Sequence, residues 1–183
     1  MPRQRDNQRQ RVYNWELGYL AKLANNKALS LDECKSLIQK TCLRYNKAIP
    51  HIKDGRGTQV ARGGANLINL PRHARVTMEV LHEAAHSILI AKGDRTLAWH
   101  GPEFVRLFIE LMAWQKLASI ADLRASARRY KVKIAFAAAG PKPNSWKRGL
   151  GDSISKLVET YCDRFNLRPF EVRSAMRDVL SRR

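Results

Sequence analysis

Acidic residues are scarce in this chain of 183 residues. Sixteen acidic residues face thirty-four lysines and arginines, which gives a formal net charge of +18 at pH 7. So lopsided a balance is more than solubility requires, and it favours contact with a polyanion such as nucleic acid. The alternative is that the basic residues only keep the protein in solution.

Cysteine is also scarce, with only Cys34, Cys42 and Cys162. No two of them form a C-x-x-C pair, which argues against a zinc ribbon. An odd and sparse set also argues against the disulfide framework of a secreted protein. We expect Cys34 and Cys42 to be small buried groups on a helix.

Long apolar runs are missing as well. The basic N-terminus is followed by no apolar stretch of signal-peptide length, and no run is long enough to span a bilayer. We therefore expect a soluble cytoplasmic protein, and the charge is also consistent with association with the nucleoid. Neither an internal repeat nor a low-complexity tract is present.

The first half of the chain predicts helices that flank a group of strands. Residues 1–11 are polar and basic and predict a flexible arm. Apolar residues at helical spacing begin at Val12, and the pair Ser30 and Glu33 forms a capping box for a second helix. Glycines divide residues 48–71 into two or three short strands.

The second half predicts more helices. One covers residues 73–92, one begins at Pro102, and one runs from Ser119 to about Arg129. Alternating apolar and basic residues at 132–136 predict a further strand.

These elements predict an α+β fold in which a small antiparallel sheet packs on the helix of residues 73–92, with additional helices at both ends. We expect the main domain at 12–137, a linker rich in glycine and proline at 138–151, and a basic helical appendage at 152–183.

The most informative segment is Leu81-His82-Glu83-Ala84-Ala85-His86. On a helix, His82 and His86 lie one turn apart on the same face, so both imidazoles can bind one metal ion. Glu83 lies close enough to accept a proton from a water molecule that the ion activates. This HExxH pattern predicts a zinc site with Glu83 as the general base. The alternative is a solvated helix face that displays these side chains by chance.

Catalytic zinc usually has three protein ligands and one open position. His100 is the leading candidate for the third ligand because it directly precedes a predicted helix that can pack on the motif helix. Glu103 and Glu110 are rival candidates, since carboxylates also bind zinc.

The segments His82-Glu83-Ala84-Ala85-His86 and His100-Gly101-Pro102-Glu103-Phe104 together resemble the SprT-like zinc metallopeptidases, a group that includes Spartan. The pattern of that family is HExxH, a loop of variable length, and a histidine in HGxxF or HGxxW. The resemblance covers roughly residues 30–118.

The resemblance implies a zincin-like fold, with His82, His86 and His100 as zinc ligands and Glu83 as the base. It also implies cleavage of proteins that are bound or crosslinked to DNA, often with DNA as activator. The chain departs from many relatives because no cysteine zinc ribbon follows the peptidase region. The DNA specificity of the family therefore does not transfer directly.

A second feature is a run of basic residues without acids between Arg124 and Arg148. Its cations can neutralise phosphates. The predicted nucleic-acid contacts within this run are Arg124, Arg128, Arg129, Lys131, Lys133, Lys147 and Arg148. The alternative is a solvated rim with no ligand.

The leading hypothesis is thus a zinc metalloendopeptidase that acts on nucleic-acid-associated proteins. One alternative is a nucleic-acid-binding protein whose zinc is structural or vestigial. Another is a regulatory peptidase whose basic surface selects one protein partner. The oligomeric state is left undetermined.

Overall fold

The computed structural model describes residues 5–90 and 97–135. The helices in these ranges are α1 (Arg9–Gly18), α2 (Leu31–Arg44), α3 (Thr77–Ile90), α4 (Pro102–Trp114) and α5 (Ile120–Arg129). The strands are β1 (His51–Asp54), β2 (Arg62–Gly63) and β3 (Leu67–Leu70), and short 3₁₀ turns lie at Leu20–Lys22 and Arg72–Ala74. The described part is therefore α+β, as predicted. Within it, every helix is too short or too polar to traverse a lipid bilayer.

The capping box predicted for the second helix is present at the start of α2. The Ser30 hydroxyl accepts a hydrogen bond from the Glu33 amide at 3.2 Å, and the Glu33 carboxylate accepts one from the Ser30 amide at 2.7 Å. Cys34 and Cys42 are buried on α2, as expected, and burial raises the pKa of both thiols to about 11. A hydroxyl cap also begins α5, where Ser119 accepts from the Asp122 amide.

The sheet is mixed, so the prediction of an antiparallel sheet was wrong. Its strand order is β1-β3-β2, with β1 parallel to β3 and β2 antiparallel to β3. A tight connection joins β2 to β3, but residues 55–61 carry the chain from β1 past β3 to the opposite edge. Apolar alternation reports which face of a strand is buried and not the direction of its partner.

Helix α3 lies between two apolar clusters. On one side, Leu81 and Ile88 pack with the large side chains of α1 and α4, among them Trp15 and Phe108. On the other side, Val80 and Ala84 pack with apolar residues of α2 and β3, namely Cys34, Ile38, Cys42, Ile68 and Leu70. Because both flanks of α3 are covered, polar side chains on this helix are removed from water.

The flexible arm predicted at residues 1–11 is also corrected where the structure describes it. The first helix begins at Arg9 rather than Val12, and Gln8 is buried just before it. The Gln8 amide nitrogen donates to the His100 carbonyl at 2.8 Å and to the Lys133 carbonyl at 3.2 Å, and its oxygen accepts from the Lys133 amide at 2.8 Å. A polar composition predicted disorder here because sequence alone does not show these distant partners.

Residues 132–135 form no strand, in contrast to the prediction. Val132 is buried in the helical cluster, the backbone of Lys133 pairs with the Gln8 side chain, and the Ala135 amide donates to the Pro102 carbonyl at 3.0 Å. The alternating pattern thus reflects an extended segment that uses side-chain and loop partners instead of a sheet.

Some predictions lie outside the described residues. These are the linker at 138–151, the helical appendage at 152–183, and the predicted nucleic-acid contacts Lys147 and Arg148.

We predict that Ser30→Ala lowers the free energy of unfolding by about 1 kcal/mol, because the first turn of α2 loses its side-chain acceptor. Urea unfolding monitored by circular dichroism measures this loss. Ser36→Ala, at an exposed interior position of the same helix, is the matched control and should be neutral or slightly stabilising. Equal loss in both variants would contradict the role of the cap.

Candidate metal centre

Three histidines from two helices meet in the described structure. His82 and His86 lie on α3, one turn apart, and His100 lies just before α4, whose N-cap is Gly101 and whose first residue is Pro102. One nitrogen of each ring lies within 4.8 Å of the others, and all three side chains are buried. The structure thus brings together the three histidines that the sequence selected.

The three imidazole rings are held over one aromatic side chain. The fully buried ring of Phe104 stacks on His86 with 4.4 Å between centroids and lies 4.9 Å from His82 and 5.2 Å from His100. Phe104 occupies the last position of the H-G-x-x-F segment, one turn into α4. Its packing restricts the rotation of all three rings and so fixes where their nitrogens point.

Two carboxylates near the N-terminus orient two of the rings. His82 Nδ1 lies 2.5 Å from Glu16 Oε1, and His100 Nδ1 lies 2.7 Å from Asp6 Oδ2. When each Nδ1 carries the proton of this hydrogen bond, the lone pair of Nε2 is left for a metal ion. Carboxylates that hold metal-binding imidazoles in this way raise their basicity and fix their tautomer.

The electrostatic environment favours positive charge at the centre. Burial is the largest influence on His82 and lowers its pKa, but Glu16, Glu83 and Glu79 outweigh it and raise the pKa to about 9. The pKa of His100 is lowered, chiefly by burial, despite its hydrogen bond to Asp6. The carboxylates that stabilise a proton on His82 also stabilise a divalent cation bound in its place.

The spacing of the imidazole Nε2 atoms fits zinc. Imidazole nitrogens bind zinc at about 2.0–2.1 Å, so two of them in a tetrahedral site lie about 3.3 Å apart. His82 Nε2 and His86 Nε2 are 3.0 Å apart. Among the described residues, His100 Nε2 is buried without a hydrogen-bond partner, which is costly unless an ion satisfies it. The donor set therefore suits one zinc ion held by His82, His86 and His100.

Glu83 lies beside these rings and against the sheet. A backbone hydrogen bond from Gly63 reaches its carboxylate, and a methyl group at Gly63 would overlap the Glu83 carbonyl. Burial is the main reason that the pKa of Glu83 is raised to about 7, with Glu79 and Glu16 adding to it and His82 and Gly63 opposing it. A carboxyl with a pKa near neutrality can both accept and release a proton.

The centre opens into a cavity of about 820 Å³. Helix α1, strand β2 and the turn at Trp99 and His100 contribute to its walls. A buried donor set that borders a cavity of this size has room for a substrate segment.

Comparison of the chain with protein-family models, curated proteins and solved structures found no match.

The rival ligands lie elsewhere. Glu110 is paired with Arg106 at 2.6 Å, and its other oxygen accepts from the Tyr45 hydroxyl at 3.4 Å. Glu103 is not part of the histidine cluster, which is the one candidate metal-binding group within the described residues.

Glu16 and Asp6 were missed by the sequence analysis, although each left a signal. Glu16 is four residues after Val12 and adjoins Trp15, so it belongs to the buried stripe of α1, where an acid is unusual. Asp6 is the sole acid among the first fifteen residues. A buried acid in a helix predicts a buried partner but does not identify it.

The predicted nucleic-acid contacts that the structure describes are all exposed. Arg124, Arg128 and Arg129 lie on α5, and Lys131 and Lys133 follow it. Arg11 from α1 joins this group, because its Nη1 donates to the Lys131 carbonyl at 3.5 Å. We call Arg11, Arg124, Arg128, Arg129, Lys131 and Lys133 the α5 patch.

We predict that Glu16→Gln lowers zinc affinity by about tenfold to a hundredfold, because His82 loses its anionic partner. Competition with a chromophoric chelator measures the dissociation constant.

Glu103→Gln is the matched control for this substitution. It removes a carboxylate that is not part of the histidine cluster and should leave zinc affinity unchanged. A loss of affinity in Glu103→Gln equal to that in Glu16→Gln would contradict the assigned role of Glu16.

Proposed function

We propose that the protein is a zinc-dependent metallopeptidase that hydrolyses peptide bonds in nucleic-acid-associated proteins, and that it is related to the SprT-like peptidases. The observation that carries this proposal is the convergence of three buried imidazoles next to Glu83 at the wall of a large cavity. Three ligands and a neighbouring carboxylate are the pattern of a catalytic zinc site rather than of a closed structural one.

Zinc bound by these histidines would polarise a substrate carbonyl and lower the pKa of a water molecule. Glu83 would accept a proton from the attacking water at its carboxylate. The same carboxyl would then deliver that proton to the amide nitrogen that leaves. Burial raises the pKa of this carboxyl and so makes it a better proton acceptor.

Other residues of the chain hold this machinery in place. The backbone of Gly63 anchors one end of the Glu83 carboxylate, so the second oxygen keeps a defined direction. Glu16 and Asp6 would hold His82 and His100 with the proton on Nδ1, which leaves Nε2 for the metal, and Phe104 packs against the rings. Preorganisation of this kind lowers the cost of reaching the transition state.

The association with nucleic acid is supported by the α5 patch. It adjoins the metal centre, because the Gln8 side chain bonds the carbonyl groups of both Lys133 and His100. Nucleic acid bound at this patch would hold an associated protein near the cavity. Its cations are exposed, and the sequence from Arg124 to Lys133 contains no acidic residue that would offset their charge.

We predict that His82→Ala binds less than about one tenth of the zinc of the wild type, whereas Glu83→Gln retains zinc near one per chain and loses at least about a hundredfold in cleavage rate. Metal analysis of the purified proteins and digestion of an unfolded protein such as casein, with and without DNA, give the two readouts.

His51→Ala is the matched control, because His51 is an exposed histidine of β1 outside the cluster. It should keep both zinc and activity. Wild-type protein without stoichiometric zinc would overturn the proposal, as would Glu83→Gln with undiminished cleavage.

A second function is favoured by one observation. The three histidines and their carboxylate partners link α1, α3 and the start of α4, so zinc bound there would also tie the fold together. In a nucleic-acid-binding protein with structural zinc, removal of the metal would lower the melting temperature and DNA binding together. Wild type would then cleave no protein under any condition.

We predict that replacing Arg124 and Arg128 by alanine weakens DNA binding and lowers the slope of log K against log salt by about 1 for each phosphate that the variant no longer binds. Fluorescence anisotropy with labelled DNA at several salt concentrations measures both quantities. The double substitution Lys35→Ala and Lys40→Ala on the exposed surface of α2 removes the same charge and should leave the slope unchanged. Equal effects in the two double variants would show that net charge, rather than the α5 patch, controls binding.

A further inference from the structure

The cavity has a second wall that the metal centre does not use, namely the open face of the sheet. Lys53 on β1 and Arg62 on β2 both pair in register with Asn69 on β3, the central strand. Side chains of residues paired across strands project from the same face. Lys53, Asn69 and Arg62 therefore form one row across the sheet, and all three border the cavity.

The acidic residues at the cavity are already engaged. Asp54 accepts from Arg75 at 2.6 Å and from Arg56 at 3.2 Å, and Asp6 contacts His100. Glu83 is buried beside the histidines and against Gly63, so its carboxylate is not available to the exposed cations of the sheet. Carboxylates of the cavity thus offer little to balance the cations of the sheet wall.

The ion pairs of the described residues do not include the cations of the wall. Within the described residues, no ion pair includes Lys53, Arg62 or Arg9, which lines the cavity from α1. Cations gathered along a concave surface concentrate the field and attract anions more strongly than isolated surface charges do. The cavity is therefore positive where it faces solvent.

The same wall exposes apolar surface. Leu67, which is 46% exposed, lies two residues before Asn69 on the same face, and Val60 is 55% exposed. Both line the cavity. Apart from the histidines, the described aromatic side chains of the cavity are Tyr13 on α1 and Trp99 next to His100, and neither belongs to the sheet. A nucleic-acid strand would gain little from a sheet wall without aromatic rings on which bases can stack.

We propose that the sheet wall recognises an acidic segment of the protein substrate, with aspartate or glutamate side chains bound by Lys53 and Arg62 and apolar neighbours packed on Leu67 and Val60. This inference rests on the proposed peptidase function and defines its substrate class. Carboxylates pair well with an arginine fork and with a lysine ammonium group, and Asn69 between them can donate a further hydrogen bond. The α5 patch and the sheet wall then have separate ligands.

The test uses the zinc-loaded full chain carrying Glu83→Gln, so that peptides are bound without being cut. Two fluorescent ten-residue peptides serve as probes, one with four glutamates among leucines and serines and one with glutamines in their place. Fluorescence anisotropy should show the acidic peptide binding about tenfold more tightly. Adding Lys53→Glu and Arg62→Glu should abolish this preference and create one for a third peptide with lysines in place of the glutamates.

A matched control distinguishes the wall from the total charge. Lys35→Glu and Lys40→Glu on α2 make the same change in net charge away from the cavity and should retain the acidic preference. Zinc content and melting temperature of each variant show whether it is folded. Since both Lys53 and Arg62 are exposed, reversal of their charge should leave these values close to those of the parent protein.

Three outcomes would overturn the proposal. The first is equal or undetectable binding of the acidic and neutral peptides, and the second is survival of the acidic preference in the Lys53→Glu and Arg62→Glu variant. The third is a single-stranded oligonucleotide that displaces the acidic peptide and no longer binds to that variant. The last result would assign the wall to nucleic acid. Cleavage of casein by wild type without any acidic preference would leave the peptidase function in place, whereas acidic preference without cleavage of any protein would contradict that function alone.

Discussion

The hydrogen bond between Glu16 and His82 is the interaction on which the other features of the centre depend. It joins α1 to α3 and pairs a buried carboxylate with a buried imidazole. Each group needs the other, because an unpaired charge in a protein interior costs several kcal/mol. Once the pair exists, α1 must lie across α3, and this brings Asp6 to His100 and Gln8 to the backbone of His100 and Lys133. The polar groups of the N-terminal segment and the histidines thus satisfy one another.

The parts of the site that sequence predicted are those specified by local spacing. His82 and His86 share a helix face by periodicity, and Pro102 marks the start of the helix that places His100. The capping box at Ser30 and the cap at Ser119 are likewise local, because each involves residues three positions apart.

The parts that sequence could not predict depend on contacts between distant residues. Asp6 lies 94 residues from its partner and Glu16 lies 66 residues from its own, so no pattern within a helix or strand records these pairs. The parallel pairing of β1 with β3 is of the same kind. The polarity of the residues near the N-terminus predicted a flexible arm. That prediction failed because a polar residue is exposed to solvent only when no buried partner is available, and here such partners exist.

Positive charge is organised rather than merely abundant. The α5 patch adjoins His100 through Gln8, and the cationic row of the sheet borders the same cavity as the histidines. The two surfaces differ, since the row of the sheet lies beside exposed apolar residues of the cavity and the α5 patch lies along a helix and the segment that follows it.

The assembly of the centre from widely separated residues has a consequence for biosynthesis. Residues 6 and 16 are synthesised before positions 82 and 100, so their carboxylates acquire imidazole partners only after those positions have been added. A partly synthesised chain therefore lacks a completed donor set for metal. Metal binding by these three histidines therefore depends on synthesis of the chain through α4.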